Sequence, residues 1–138
     1  MKLTRRDALA WGLGATAVAM LPMRAFAAAD DAIAEFTGGA AAGDGDITLD
    51  APEIAENGNT VPVSVAAPGA VAIRIFAAGN PTPGVATFNF GPAAGSQAAS
   101  TRIRLAGTQD VIAIAQMEDG SFIQTAKTVK VTIGGCGG

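Results

Sequence analysis

The sequence predicts an all-β protein: an immunoglobulin-like antiparallel β-sandwich with a short N-terminal helix and a flexible C-terminal arm. Three observations lead there. From Asp46 onward, apolar residues recur at every second position in short runs, the period that buries one face of a strand. Turn-forming pairs separate the runs: Asn57-Gly58, Pro68-Gly69, Asn80-Pro81, Gly91-Pro92 and Asp119-Gly120. The last run ends in Gly134-Gly135-Cys136-Gly137-Gly138, a tail almost free of side chains that holds the only cysteine.

Residues 1–27 read as an export address. Lys2, Arg5 and Arg6 form a basic start, Ala8 to Leu21 is apolar, and Ala25-Phe26-Ala27 has the small-x-small pattern of a cleavage site. The apolar stretch is short of the roughly 20 residues that cross a bilayer, so no membrane anchor is expected. Thr4-Arg5-Arg6-Asp7-Ala8-Leu9 resembles the twin-arginine motif, with Arg5 and Arg6 as the pair. A weakly apolar core (Gly12, Gly14, Thr16) and Arg24 near the cleavage site agree with that route to the periplasm. Twin-arginine export moves folded proteins, which suits a chain that leaves with an inserted cofactor or a pre-assembled partner.

Residues 28–45 hold a short helix and a linker. Asp30 or Asp31 is placed to cap a helix to Phe36, with Ile33 and Phe36 on one face, and Gly38 to Gly45 reads as flexible. Residues 46–133 form the sandwich. Its strands are read around Ile47 and Leu49, Val61 to Val65, Val71 to Ile75, Phe88 and Phe90, Ile103 and Leu105, Val111 to Met117, and Val129 to Ile133. About seven strands without intervening helices indicate the sandwich. The hallmark disulfide and tryptophan are absent, so number and spacing carry the assignment. An apolar sheet face left over would meet a partner subunit; alternatively the two sheets cover each other. Residues 134–138 are the arm.

Composition excludes much. Without residues 1–27, 111 of the 138 residues remain, with 5 basic and 11 acidic side chains, a net charge of −6. An acidic chain without a basic patch is not a nucleic-acid binder. There is no histidine and no tyrosine. One cysteine without histidine builds no Ser-His-Asp or Cys-His arrangement, and the usual metal and haem ligands are missing. No phosphate-binding glycine motif opens a helix. The chain is therefore expected to have no cofactor, no metal site and no catalysis of its own, although composition does not exclude a carboxylate pair.

The tail is where chemistry remains. Cysteines of exported proteins usually pair, so a single one is a working thiol or an intermolecular disulfide. Glycine ranges over nearly all backbone conformations, so Gly134, Gly135, Gly137 and Gly138 make a thin, mobile stalk for Cys136. At about 3.3–3.6 Å per extended residue the tail reaches some 15 Å. An unassisted thiol has a pKa of about 8.5, and no arginine or histidine adjoins Cys136, so activation is left to the enzymes that the stalk enters.

Residues Val129-Lys130-Val131-Thr132-Ile133-Gly134-Gly135-Cys136-Gly137-Gly138 resemble the end of the SoxY family, the sulfur-carrying subunits of bacterial sulfur oxidation. Ala51-Pro52-Glu53-Ile54-Ala55-Glu56-Asn57-Gly58-Asn59-Thr60-Val61-Pro62-Val63, Asn80-Pro81 and the twin-arginine leader are similar too. The resemblance spans essentially the whole chain after the leader. It implies that Cys136 covalently holds thiosulfate-derived intermediates while Gly134, Gly135, Gly137 and Gly138 form the arm. It implies a SoxZ-like subunit as heterodimer partner, exported alongside. It further implies three enzymes visited in turn: a c-type cytochrome that conjugates thiosulfate to the thiol, a manganese hydrolase that releases sulfate, and, where present, a molybdenum–haem dehydrogenase that oxidises the remaining sulfane.

Other readings of the tail stand beside this one. A structural assembly subunit would use Cys136 for a permanent intersubunit disulfide. Gly137-Gly138 also resembles the end of ubiquitin-like sulfur carriers, but those need ATP and a helix-crossed sheet, against the export signal and all-β pattern. Asn57-Gly58 reads as a turn. Arg102 and Arg104 are a solvated strand face or a partner contact. Asp44, Asp46 and Asp50 read as solubilising rather than as a metal loop.

Overall fold

The computed structural model describes residues 24–134. The leader with Arg5 and Arg6, and the tail residues Gly135, Cys136, Gly137 and Gly138, lie outside the described residues. A helix and eight strands follow in order: α1 (Arg24–Thr37), β1 (Thr48–Asp50), β2 (Ile54–Asn57), β3 (Val61–Ala66), β4 (Ala70–Ala77), β5 (Gly84–Asn89), β6 (Ala98–Ile103), β7 (Gln109–Met117) and β8 (Phe122–Ile133). They form two sheets, β1-β3-β6 and β2-β8-β7-β4-β5. The immunoglobulin-like sandwich is the expected one.

Alternation builds the core. Val61, Val63 and Val65 of β3 face Ile73, Ile75, Val111, Ala113, Ala115 and Val129 of the larger sheet, all buried. The outer face of that sheet does not stay bare. Phe76, Ile114 and Phe122 point out of it and are covered by Ala32, Ile33 and Phe36 of α1. The Phe36 ring lies 6.2 Å from Phe76 and 5.8 Å, edge-on, from Phe122. Ile33 and Phe36 thus share the buried face that their spacing expects. On this face the chain itself supplies the cover that the sequence left open between a partner and the molecule's own sheets.

Three differences have physical causes. The helix begins at Arg24, so Asp30 and Asp31 lie inside it, exposed, and neither caps its start. The stretch read as a free linker is tied to the body: Gly43 donates its N–H to the Phe122 carbonyl (3.0 Å) and accepts from the Gln124 N–H (2.9 Å). The strand β2 has a single buried residue, Ala55, too little alternation to read. It pairs in parallel with β8, opposite Lys130, Val131 and Ile133, the one parallel pairing between named strands; the isolated Gly43–Ile123 bridge is parallel too. The five turn signals all fall at turns or bends. In the β7–β8 turn, Gly120 takes a φ of 84°, which favours glycine.

Two outcomes are expected. Phe36→Ala uncovers Phe76 and Phe122 and lowers stability by about 2 kcal/mol, read as an earlier urea midpoint. The Ser121 hydroxyl and N–H hold the Asp119 carboxylate below its ordinary pKa of 3.8. Those bonds favour the ionised form, so their stabilisation is full above the ordinary value and fades as pH falls through the lowered one. An NMR titration should place the Asp119 midpoint below that of an unstructured aspartate.

Candidate functional site: the root of the cysteine tail

Cys136 follows β8 by three positions, so the structure's contribution is the platform from which it leaves. β8 is held by β7 from Phe122 to Val129. Beyond Val129, β2 takes over on the other edge. The last turn of support comes from hydrogen bonds outside both ladders. Lys130 N–H donates to the Glu53 carbonyl at 2.9 Å, and Gly58 N–H donates to the Ile133 carbonyl at 2.7 Å. Val131 N–H donates to the Thr108 hydroxyl at 3.0 Å.

Gly58 is a bridge. Its own carbonyl accepts from the Leu105 N–H at 2.7 Å, so the β2–β3 turn joins the end of β8 to the 104–108 loop. Gly58 is itself buried. Asn57 shapes this turn through its side-chain oxygen, which accepts from the Asn59 N–H at 3.0 Å.

The 104–108 loop is pinned from beneath by two buried amides, Asn80 and Gln109. Asn80 Nδ2 donates to the Arg104 carbonyl (2.8 Å) and its Oδ1 accepts from the Ala106 N–H (2.9 Å) and from Gln109 Nε2 (2.8 Å). Gln109 Nε2 also donates to the Gly107 carbonyl (3.0 Å), and its Oε1 accepts from the Gly79 N–H (2.8 Å). No buried side-chain N or O among the described residues lacks a partner. A satisfied buried amide pair fixes a loop well, because breaking it leaves unpaired polar groups in a dry place.

That fixed loop meets the tail at Gly134. A β-carbon at Gly134 would land on the carbonyl oxygen of Ala106. Any side chain there must displace the backbone of one partner. Of the four arm glycines, Gly134 therefore belongs to the seat of the tail, where glycine is needed for close approach rather than for freedom. Ile133 just before it is 66% exposed although it continues the inward series of Val129 and Val131. The strand thus runs past the edge of the body.

The remaining sequence candidates fall as follows. Arg102 and Arg104 are exposed at the end of β6, on the same pole as the tail root. Asp44, Asp46 and Asp50 are exposed, and among the described residues no group of three or more His, Cys, Asp or Glu is placed to hold a metal ion. Thr108, Gln109, Ala106 and Gly58 were not read as site residues. The available signals were a glutamine opening a buried strand and the Asn80-Pro81 pair.

Together, fold and site define a class: an immunoglobulin-like sandwich whose final strand is braced as a pedestal for a glycine-flanked cysteine. The family model "Sulfur oxidation protein SoxY" matches residues 33–136. The solved structure of the sulfur carrier protein SoxY from Chlorobium limicola f thiosulfatophilum is 41% identical, with 75% of this chain and 96% of that one covered and a TM-score of 0.66. The chain belongs to the SoxY family. A superoxide reductase (neelaredoxin) from Ignicoccus hospitalis is 18% identical over 62% of this chain and 79% of that one, with a TM-score of 0.55. A putative superoxide reductase from Thermotoga maritima is 16% identical over 62% and 84%, with a TM-score of 0.51. Those two share the fold alone. No curated relative matches the sequence.

Asn80→Ala should cost about 1–3 kcal/mol through the donors and acceptor it abandons. It should also raise amide exchange at Ala106 and Val131. Gln109→Ala in the same background should add less than its single effect, because the amides share one network. Gly134→Ala should lower the urea midpoint, because its β-carbon meets the Ala106 carbonyl oxygen, and should shift the amide resonances of Ala106 and Gly58.

Proposed function

We propose that this chain is a covalent sulfur carrier, with the Cys136 thiol as the attachment point for thiosulfate-derived intermediates. One observation carries the reading: a cysteine flanked by glycines follows directly on a strand whose end is braced by Gly58, Thr108 and Ala106. Family membership supports it, as does the Chlorobium limicola relative described as a sulfur carrier.

The chemistry agrees with the residues. A thiol without a neighbouring base is a weak nucleophile. It waits for an enzyme to activate it, which keeps the loaded sulfur under enzymatic control. Glycines at 135, 137 and 138 add no bulk, so the tail enters a narrow channel. Ordering each residue costs about 1–2 kcal/mol, so docking is weak and release is fast. The chain is a substrate presented to enzymes rather than an enzyme.

In this reading the carrier pairs with a SoxZ-like subunit. It is exported to the periplasm through Arg5 and Arg6. It meets a c-type cytochrome that conjugates thiosulfate, a manganese hydrolase and a molybdenum–haem dehydrogenase, with the braced strand end fixing where the tail starts.

Intact-mass spectrometry tests the reading directly. Incubation with thiosulfate and the oxidised c-type cytochrome, which takes up the two electrons released as the S–S bond forms and the thiol proton leaves, should add a thiosulfonate mass to the peptide holding Cys136. Cys136→Ser should abolish every adduct while the fold remains; adducts persisting on that variant would sink the proposal. Gly135→Val should keep the fold and slow each transfer step by up to about a hundredfold, the order expected when reacting groups are misplaced by an ångström.

A further inference from the structure

We propose that the pole from which the tail leaves is a docking surface for an acidic, extended segment of the proteins that receive the tail, with Arg102 and Arg104 as its recognising groups. This surface rests on the carrier reading, since a protein that takes up Cys136 must meet the body around Gly134.

Strand β6 is one edge of the smaller sheet and β5 one edge of the larger, the other edges being β1 and β2. A groove of about 290 Å³ lies between them, lined by Thr82, Gly84, Thr101, Arg102 and Arg104 among others. A free edge presents unpaired N–H and C=O groups that accept an added strand. Arg102 and Arg104 are two positions apart on the same side of the chain, at the spacing of alternate side chains in a strand. An extended segment with carboxylates at alternate positions matches that spacing. Each guanidinium is a planar fork that takes a carboxylate through two hydrogen bonds.

Neither arginine has a carboxylate partner among the described residues. Arg102 Nη1 donates to the Thr60 hydroxyl at 3.3 Å, and Arg104 engages the rest of the protein through its carbonyl, held by Asn80. Two neighbouring cations without a counter-charge are unusual in a chain whose residues 28–138 carry 5 basic and 11 acidic groups. The tail pole carries both signs, with Glu53, Glu56 and Asp110 near the end of β8, whereas the far pole is acidic. Lys130 lies in the half of β8 nearer the tail, opposite Ile54. Glu118 and Asp119 occupy the turn at the far pole, and Asp44 and Asp46 follow Gly43, which is bridged to Ile123 at that same end. An acidic partner is repelled by the far pole, and Arg102 and Arg104 favour its approach at the groove. The groove also adjoins the tail root: the Asn80 amide that holds Arg104 also holds Ala106, and Ala106 abuts Gly134.

The test uses the isotope-labelled full chain. The probes are an acetylated heptapeptide of alternating threonine and glutamate, the same peptide with lysine for glutamate, and sodium sulfate. The glutamate peptide should shift amide signals of β5 and β6, and its affinity should fall about tenfold or more between roughly 50 and 500 mM salt. Arg102→Ala with Arg104→Ala should weaken it about tenfold or more with unchanged circular dichroism, and the lysine peptide should not bind. Shifts confined to other strands, salt-insensitive binding, or saturation of the groove by sulfate alone would overturn the proposal. Cys136→Ser should bind the peptide like the parent chain, so a failed docking surface and a failed carrier thiol give separate signatures.

Discussion

Everything at the working end of this protein depends on the short bridge that Gly58 makes between Ile133 and Leu105. β8 is the longest strand, and its last residues have outrun β7. A strand end in that position ordinarily frays, because its peptide groups have water as an equal alternative partner. Here three peptide groups of residues 130–133 find protein partners: Glu53, Thr108 and Gly58. Each bond contributes about 0.5–1.5 kcal/mol. Together they decide where the body stops and the tail starts.

The bridge would be ineffective on a mobile loop, and this explains the buried amides. Arg104 to Thr108 is irregular chain, and irregular chain is usually the softest part of a sandwich. Asn80 and Gln109 convert it into a fixed abutment by satisfying the backbone groups of residues 104, 106 and 107. The same two side chains bind one another and Gly79, so the loop, the β4–β5 turn and the start of β7 move as one piece. Apolar residues in their place would fill the space but would leave those backbone groups without partners.

The sandwich was legible because alternation and turn chemistry agree in it. Val61, Val63 and Val65, or Ile73 and Ile75, leave little doubt about which face is buried, and each run is closed by a glycine or proline pair. The pattern failed where burial is not periodic. β2 buries only Ala55, and the first half of β8 carries Gln124, Thr125 and Lys127 across a sheet edge. Of the candidate site, the thiol and its glycines are plain from residue type alone. The brace is not, because it is made by backbone groups: a carbonyl of Ala106 and an N–H of Gly58 have no signature in a sequence. Gly134 shows the same limit. Its residue type is the one a mobile stalk would use, while its position against Ala106 shows a second need for it.

Under the carrier reading proposed above, a braced root also changes the energetics of capturing and releasing the tail. Fixing a residue costs about 1–2 kcal/mol of conformational freedom, and that cost is set against the binding energy of each docking event. With residues 130–133 already held by the body, capture of the tail would carry no ordering cost for them. Had the strand end been free, four more residues would add roughly 4–8 kcal/mol, and weak contacts along a side-chain-free tail have nothing with which to offset that. Glycine beyond the root and hydrogen bonds beneath it therefore serve one purpose. On that reading the first would keep the tail thin enough to enter a narrow site. The second would keep the ordering cost of entry low, and a brace does this best at the last residues before the glycines, where it sits.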